Sequence, residues 1–261
     1  MKIATWNVNS LTVRLPHVLE WLASNPVDVL ALQELKLSND KFPHDALRAA
    51  GYQSVVFGQK TYNGVALLAR IAIEDVARNI AGFSDDNARV ISGTVQSVGG
   101  SLRIVNGYFV NGQAPGTDKF EYKMSWLRGL RDWLREELAT HPRLVLLGDF
   151  NIAPEDRDSF DPVGLAETIH HTTPERDHFK ALLRLGLSDA FRLFEQPEQS
   201  FSWWDYRMFS YQKNRGLRID HILVSAPLVP LVSACVIDRT PRKWPRPSDH
   251  APMTLTLKRP A

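Results

Sequence analysis

Short apolar runs recur along the chain, separated by Gly, Pro, Asn and Asp, the residues that commonly form turns. Branched and aliphatic side chains in these runs predict β-strands. Gly99 and Gly100 separate two of the runs and predict a tight turn between them. The predicted strands cover residues 2–8, 27–34, 52–58, 64–70, 88–98, 101–110, 143–149, 218–225 and 251–259.

Other segments repeat apolar residues at helical spacing, as Leu15, Val18 and Leu22 do in the first of them. Helices and strands are interspersed, and short turns join several neighbouring strands. The pattern therefore predicts a single α/β domain over residues 1–261, with mixed rather than purely parallel sheets. The predicted helices cover residues 14–25, 45–51, 119–141 and 175–186.

Composition restricts the function only a little. The chain has 261 residues, 44% hydrophobic and 23% charged, which is typical of a globular domain. Its net charge of +2 permits nucleic-acid binding on a locally basic face. Cys235 is the only cysteine, so no intrachain disulfide can form, and its apolar neighbours predict burial. With no signal-peptide core or membrane-spanning window, we expect a soluble, cytoplasmic protein with no membrane partner. We also expect a monomer.

Polar side chains recur where the apolar runs end. In "LLGDFNIAPED", Asp149 and Asn151 follow a buried run, which by itself indicates a turn. Similar residues stand at the ends of several other runs, and turns alone do not explain this recurrence. Ligand sites in α/β proteins form at strand ends, where loops converge. The recurring residues are Asn7, Asn9, Gln33, Glu34, Asn106, Tyr108, Asp149, Asn151, Asp220, His221, Ser248, Asp249 and His250.

If these strand ends converge, they form an acidic pocket. Several carboxylates cannot all stay ionised close together without a cation. Oxygen ligands without cysteine favour a hard ion, Mg²⁺ or Mn²⁺. Such an ion with few protein ligands binds a substrate phosphate, so the pocket predicts hydrolysis of a phosphate ester.

The chain contains, in this order, the motifs "TWNVNS", "LQE", "NGYFVNG", "GDFNIAP", "NRGLRIDHIL" and "SDHAP". Taken together, they resemble the exonuclease III family of DNA repair nucleases within the endonuclease/exonuclease/phosphatase superfamily. The resemblance covers nearly the whole chain. It implies a four-layered α/β sandwich, with two mixed β-sheets packed face to face and flanked by helices. It also implies a Mg²⁺-dependent phosphodiesterase acting on double-stranded DNA with abasic sites or blocked 3′ ends, as a 3′–5′ exonuclease, a 3′-phosphatase or an abasic-site endonuclease leaving 3′-hydroxyl ends.

The resemblance also implies roles for single residues. Glu34 is implied as the principal metal ligand, with Asn7 beside it and Asp249 near the metal through water. Asp220 is implied to orient His250 towards the scissile phosphate. The implied catalytic set is completed by Asp149 at the nucleophilic water or leaving group and by Asn151 and Tyr108 at the phosphate.

Contacts with DNA are implied in three places. Asn111 matches an amide that contacts phosphate. Trp203, Leu217 and Ile219 match positions that line a pocket for deoxyribose. The basic loop at residues 239–247 precedes "SDHAP", and we expect Arg242 and Lys243 to contact the phosphate backbone. A solvated loop that does not touch DNA is the alternative.

One segment departs from the family pattern. His170 and His171 stand where the family usually has small or aliphatic residues. If one ring faces the pocket, it takes the space of an extruded abasic sugar, which weakens abasic-site incision and leaves 3′-end trimming intact. If both rings point to solvent, they have no such effect.

Two other functions remain open. A superfamily relative could hydrolyse a small phosphoester such as an inositol phosphate or a lipid headgroup, although the aromatic residues and the "NRGLRID" spacing favour DNA. A DNA-binding module with an inactive site is disfavoured by the intact set of catalytic residue types. Asn9 and His221 are left out of the catalytic set, as a turn residue and a structural histidine.

Overall fold

A computed structural model describes residues 1–97 and 99–258. Val98 and Arg259, which end two of the predicted strands, lie outside the described residues. Within the described part, the predicted hairpin at Gly99 and Gly100 is present, with both glycines at positive φ, where a side chain would be strained.

The first sheet has six strands in the order β11-β12-β1-β2-β4-β3. β1 and β2 run parallel, and the other neighbours are antiparallel. The residues of β2 and β4 are buried throughout, which explains their uninterrupted apolar sequences. The strands are β1 (Lys2–Asn7), β2 (Val29–Gln33), β3 (Gln53–Phe57), β4 (Val65–Ala69), β11 (Val232–Ile237) and β12 (Met253–Leu257).

The second sheet has the order β5-β6-β7-β8-β10-β9. It also contains one central parallel pair, β7 and β8, among antiparallel neighbours. The mixed sheets predicted from the sequence are confirmed. The strands are β5 (Ile73–Arg78), β6 (Val90–Ser97), β7 (Gly100–Tyr108), β8 (Leu144–Asp149), β9 (Leu187–Asp189) and β10 (Asp220–Ser225).

Four α-helices cover the outer faces of the sheets. α1 (Leu11–Ser24) and α2 (His44–Ala49) pack on the first sheet, and α3 (Asp118–Thr140) and α4 (Thr173–Arg184) pack on the second. A third apolar core, which includes Ile3 and Val145, lies between the two sheets. The four-layered sandwich implied by the resemblance is therefore confirmed.

Three strands were not predicted from the sequence. β5 is mostly exposed and carries polar residues, β9 has only three residues, and β11 lies in the apolar stretch around Cys235. Each lies at or next to a sheet edge, where pairing with a neighbour decides strand formation. Cys235 is buried, as expected. None of the helices in the described ranges has the length and apolar character required to cross a lipid bilayer.

Candidate active site

The strand register brings three polar residues into one row along the edge of the second sheet that is formed by the ends of its strands. Asp149 at the end of β8 pairs with Tyr108 of the parallel strand β7 and with Asp220 of the antiparallel strand β10. The row depends on close contact between β7 and β8, since a Cβ at Gly148 would lie 1.9 Å from the carbonyl oxygen of Gly107. Gly148 in "LLGDFN" is thus required by packing.

Asn7, at the end of β1, joins the two sheets at this edge. Its Nδ2 atom donates hydrogen bonds to Glu34 Oε1 and to Asp149 Oδ2, both at 2.9 Å. Glu34 directly follows β2 and has a φ of 52°, in the left-handed region. Strained backbone of this kind is concentrated at functional sites. The predicted convergence of strand ends from both sheets is present.

His250 lies between two carboxylates. Its Nδ1 atom is 2.9 Å from Asp220 Oδ2, and its Nε2 atom is 3.8 Å from Asp149 Oδ2. Burial alone would lower the pKa of His250, but the charges of Asp220 and Asp149 raise it to about 10. His250 is therefore an imidazolium at neutral pH, held in orientation by Asp220.

Asp149 and Tyr108, which neighbour His250, bind their protons more tightly than usual. Burial raises the pKa of Asp149 to about 7, reinforced by Asp220 and Glu34 and opposed by His250. Burial, together with Glu34 and Asp149, also raises the pKa of Tyr108 well above its ordinary value. Tyr108 thus keeps its proton and can donate a hydrogen bond, while Asp149 can exchange a proton near neutral pH.

The donor set fits a divalent cation. Ligand atoms of Glu34, Asp149 and His250 lie within 4.8 Å of one another. The protonated His250 has no free lone pair for a metal, so Glu34 and Asp149 are the two carboxylates of this group that can face an ion. The ammonium of Lys36 lies 2.9 Å from Glu34 Oε2, so a positive charge already neutralises this carboxylate. The Asn7 amide nitrogen, not its oxygen, faces the carboxylates, and a 180° rotation of the amide would present the oxygen to an ion.

Asp249 lies at the other side of the site. Its two oxygens accept hydrogen bonds from Asn9 Nδ2 at 2.9 Å and from Trp203 Nε1 at 3.0 Å. Burial alone would raise the pKa of Asp249, but His250 and these two hydrogen bonds together lower it. Asp249 is thus ionised, and it is not among the three residues whose ligand atoms cluster.

Two amides stand together beside the acidic residues. Asn111 Nδ2 donates to Asn151 Oδ1 at 3.1 Å, and Asn151 Nδ2 donates to the carbonyl oxygen of Phe109 at 3.0 Å. Asn151 has a φ of 52°, and its backbone N–H donates to Asp149 Oδ1. Asn111 is exposed, so it can meet a ligand at the surface.

An apolar wall adjoins the site. Leu217 and Ile219 are buried together with Ala153, and the half-buried Trp203 packs against them. Short backbone bridges tie Trp203 to Leu217 and to His250. The three residues implied to form a sugar pocket are therefore brought together next to the imidazolium.

Arg242 does not occupy the exposed position expected of a phosphate contact. It is 6% exposed, and its guanidinium lies 4.8 Å from the ring centre of Tyr211 and 5.7 Å from that of Trp204. It also donates to the carbonyl oxygen of Ser248. This aromatic and carbonyl environment is that of a structural cation and disfavours the expected phosphate contact. Lys243 is exposed, as expected.

His170 and His171 are 8% and 3% exposed, so the alternative in which both rings point to solvent is wrong. The Nδ1 atom of His170 lies 2.7 Å from the carbonyl oxygen of Asn151, which places this ring against the site. Burial lowers the pKa of His170 to about 3, with a further contribution from Lys123. His171 instead bonds the carbonyl oxygen of Ile169 within its own loop.

Of the two residues left out of the catalytic set, Asn9 belongs to the site through its bond to Asp249. The signal was present in the sequence, because Asn7 and Asn9 stand two residues apart after the same strand. His221 is structural, as expected: it is fully buried, and its Nε2 atom lies 2.9 Å from the carbonyl oxygen of Ile152.

The model of the endonuclease/exonuclease/phosphatase family matches residues 4–250, which include every residue of this site. The chain belongs to this family. Among its relatives, an exodeoxyribonuclease III of Haemophilus influenzae is 34% identical over 99% of this chain and 100% of its own length. The DNA repair nuclease APEX1 of Danio rerio is 31% identical over 98% of this chain and 82% of its own length.

Solved structures in the family include two near matches. The 3′ phosphatase NExo from Neisseria, bound to a product DNA hairpin, superposes with a TM-score of 0.95 at 47% identity, covering 99% of both chains. An AP endonuclease from Archaeoglobus fulgidus superposes with a TM-score of 0.93 at 33% identity, covering 98% of this chain and 99% of the other.

Proposed function

We propose that this chain is a Mg²⁺-dependent DNA repair phosphodiesterase of duplex DNA that processes blocked 3′ ends, and that incises abasic sites less efficiently, leaving 3′-hydroxyl termini. The observation that carries the proposal is the placement of His250 between Asp220 and Asp149 beside Glu34. We also propose a monomer as the active unit and place its work in the cytoplasm. The exodeoxyribonuclease III and 3′ phosphatase relatives support the choice of substrate.

The proposed chemistry is in-line attack of water on a phosphodiester. Glu34 and Asn7 would hold the divalent ion, with Asp249 near it. An ion held there would supply positive charge to neutralise the phosphate. Asp149 exchanges a proton with the attacking water or with the leaving oxygen, consistent with its pKa of about 7.

The phosphate itself is bound by hydrogen-bond donors in this proposal. The His250 imidazolium, oriented by Asp220, and the protonated phenol of Tyr108 donate to its oxygens, where negative charge grows in the transition state. Asn151 positions the phosphate and water, and Asn111 binds an adjacent phosphate. Trp203, Leu217 and Ile219 hold the deoxyribose, and the exposed Lys243 adds a contact to the DNA backbone.

The preference for 3′ ends rests on His170. Its ring is buried against the backbone carbonyl of Asn151. In this proposal it restricts the space available to an extruded abasic sugar. A terminal nucleotide needs no extrusion from a continuous strand, so its removal is not hindered in the same way.

The test uses three labelled duplexes, carrying an internal abasic-site analogue, a 3′-phosphate or a recessed 3′-hydroxyl. Each is incubated with the purified protein in Mg²⁺, in Mn²⁺ and in EDTA, with Glu34→Gln as the inactive control. We expect metal-dependent release of the 3′-phosphate to be the fastest reaction. An inositol phosphate assayed in parallel distinguishes the alternative: its faster hydrolysis would contradict action on DNA.

A further inference from the structure

A buried ion pair lies behind the two amides of the site. Lys123 on α3 and Glu175 on α4 form a salt bridge in which both side chains have no exposed surface. Their sequence positions are 52 residues apart. Removing two charges from water is so unfavourable that a buried ion pair is weak evidence of added stability. Its location next to the site points to another role.

Lys123 uses all its hydrogen-bond donors. Besides Glu175, its Nζ atom donates to the carbonyl oxygens of Asn111 at 3.1 Å and Asn151 at 2.8 Å. An ammonium has three donors, so none is left for another partner. One buried cation therefore holds both peptide groups whose side chains form the amide pair.

Glu175 holds the loop on the other side. Its Oε1 atom accepts from the backbone N–H of His170 at 3.1 Å, and its Oε2 atom accepts from the backbone N–H and the hydroxyl of Thr172. Thr172 and Glu175 form the capping box that begins α4. The ion pair thus connects α3 and α4 to the backbone around His170 and Asn151.

Lys123 also contributes to the neutral state of His170, which is due mainly to burial. Burial and the nearby charge of Lys123 keep the pKa of His170 low, so its ring is neutral. A carbonyl oxygen can only accept, so the Nδ1 atom facing Asn151 carries the hydrogen. Asn151 and His170 have φ values of 52° and 71°, and residues in such conformations persist only where the surroundings hold them.

We propose that Lys123 and Glu175 are positioning residues, which hold Asn111 and Asn151 in the reactive arrangement and fix the backbone at His170, without touching substrate. The inference rests on the proposed function, because that function gives Asn111 and Asn151 their roles at the phosphate. A purely structural ion pair would join the helices but leave turnover unaffected once stability is preserved.

The decisive variant is the double substitution K123M/E175Q. It removes both charges together, so no unpaired charge stays buried. Glutamine at this position also preserves the capping box. The control is R103M/E137Q, which removes a partly buried pair, between β7 and α3 and outside the site.

For release of a 3′-phosphate, we expect K123M/E175Q to lower kcat by about 10- to 100-fold with KM changed less than about threefold, because small misplacements of positioning groups impair the chemical step. The control should stay within about threefold of the parent in both constants. Melting temperatures of the two double variants report folding independently. A parent-like kcat in folded K123M/E175Q would overturn the proposal.

A second comparison tests whether the pair acts through Asn151. Added to Asn151→Ala, the double substitution should lower kcat by less than about threefold more, because the group that it positions is already absent. If the loss of kcat in the combined variant equals the product of the two separate losses, the pair does not act through Asn151. If K123M/E175Q does not fold, Lys123→Arg decides. It keeps the charge, but its planar fork cannot reproduce the ammonium contacts, so kcat of the folded variant should fall about tenfold. Its melting temperature shows whether it is folded at the assay temperature. An unchanged kcat overturns the proposal. A parent inactive on every DNA substrate refutes the proposed function instead.

Discussion

His250 Nδ1 lies 2.9 Å from Asp220 Oδ2, and both side chains are buried. The two residues come from different strand ends, 30 positions apart in the sequence. Because Asp220 and Asp149 raise the pKa of His250 to about 10, the imidazolium stabilises the folded state. The arrangement to which we assign the proposed phosphate donor therefore also makes stability depend on pH.

We expect the free energy of unfolding of the metal-free protein to fall as the pH rises from about 7.5 to 9. The stabilisation from His250 is complete below its ordinary pKa of 6.5 and is lost as the pH rises towards its folded value of about 10. Urea unfolding in EDTA measures the slope, which His250→Gln should flatten. His178→Gln is the matched control: the pKa of His178 is lowered, so it is neutral throughout this range and the slope should persist.

Glu34→Gln should lower 3′-phosphate release by about a hundredfold or more, since it removes the principal carboxylate for the metal. Mg²⁺ should raise the melting temperature of the parent, because an ion bound only to the folded state stabilises it, and should not raise that of the variant. The exposed carboxylate of Glu136 provides a control, and Glu136→Gln should behave as the parent. A parent-like response to Mg²⁺ in Glu34→Gln would exclude Glu34 as a ligand.

Within the basic loop at residues 239–247, we expect Arg242 to be a structural cation and Lys243 and Arg246 to bind DNA. Neutralising the exposed Lys243 and Arg246 should lower the slope of log affinity for duplex DNA against log salt by about 2. Arg242→Met should leave that slope unchanged and reduce stability by about 2 kcal/mol, through loss of its contacts with aromatic rings. Fluorescence anisotropy across a salt series, with thermal melting, separates the effects. A flatter slope in Arg242→Met would place that guanidinium on DNA.

His170→Gly should raise the ratio of abasic-site incision to 3′-phosphate release by about a hundredfold, the rate equivalent of an extrusion energy of a few kcal/mol. Glycine adopts the φ of 71° at this position without strain. Lys123 still holds the carbonyl oxygen of Asn151, so 3′-phosphate release should change little.

His171→Gly is the control for this substitution, because that ring bonds within its own loop. In His171→Gly, the ratio of abasic-site incision to 3′-phosphate release should equal that of the parent. A parent that already incises abasic sites as fast as it releases 3′-phosphates would show that His170 does not restrict the pocket.

The sequence by itself determined the strands that carry the site. Continuous apolar runs produced β1, β2, β8 and β10, because such runs are stable only when buried on both faces of a sheet. The polar residues directly after them, such as Glu34 and Asp149, were therefore predicted to meet at strand ends. Edge strands such as β5 and β9 left too weak an apolar pattern for prediction, since pairing with a neighbour forms them.

Only the tertiary structure decided which cations are buried and which way the loop histidines point. Arg242 and Lys243 are adjacent in sequence, yet one is enclosed by aromatic rings and the other is exposed. His170 and His171 likewise bond different partners. In the sequence, Lys123 looks like an ordinary surface residue of an amphipathic helix. Only the fold brings Glu175 and two carbonyl oxygens into contact with it. Burial of a charge depends on distant partners that compensate its lost hydration, and local sequence carries no record of them.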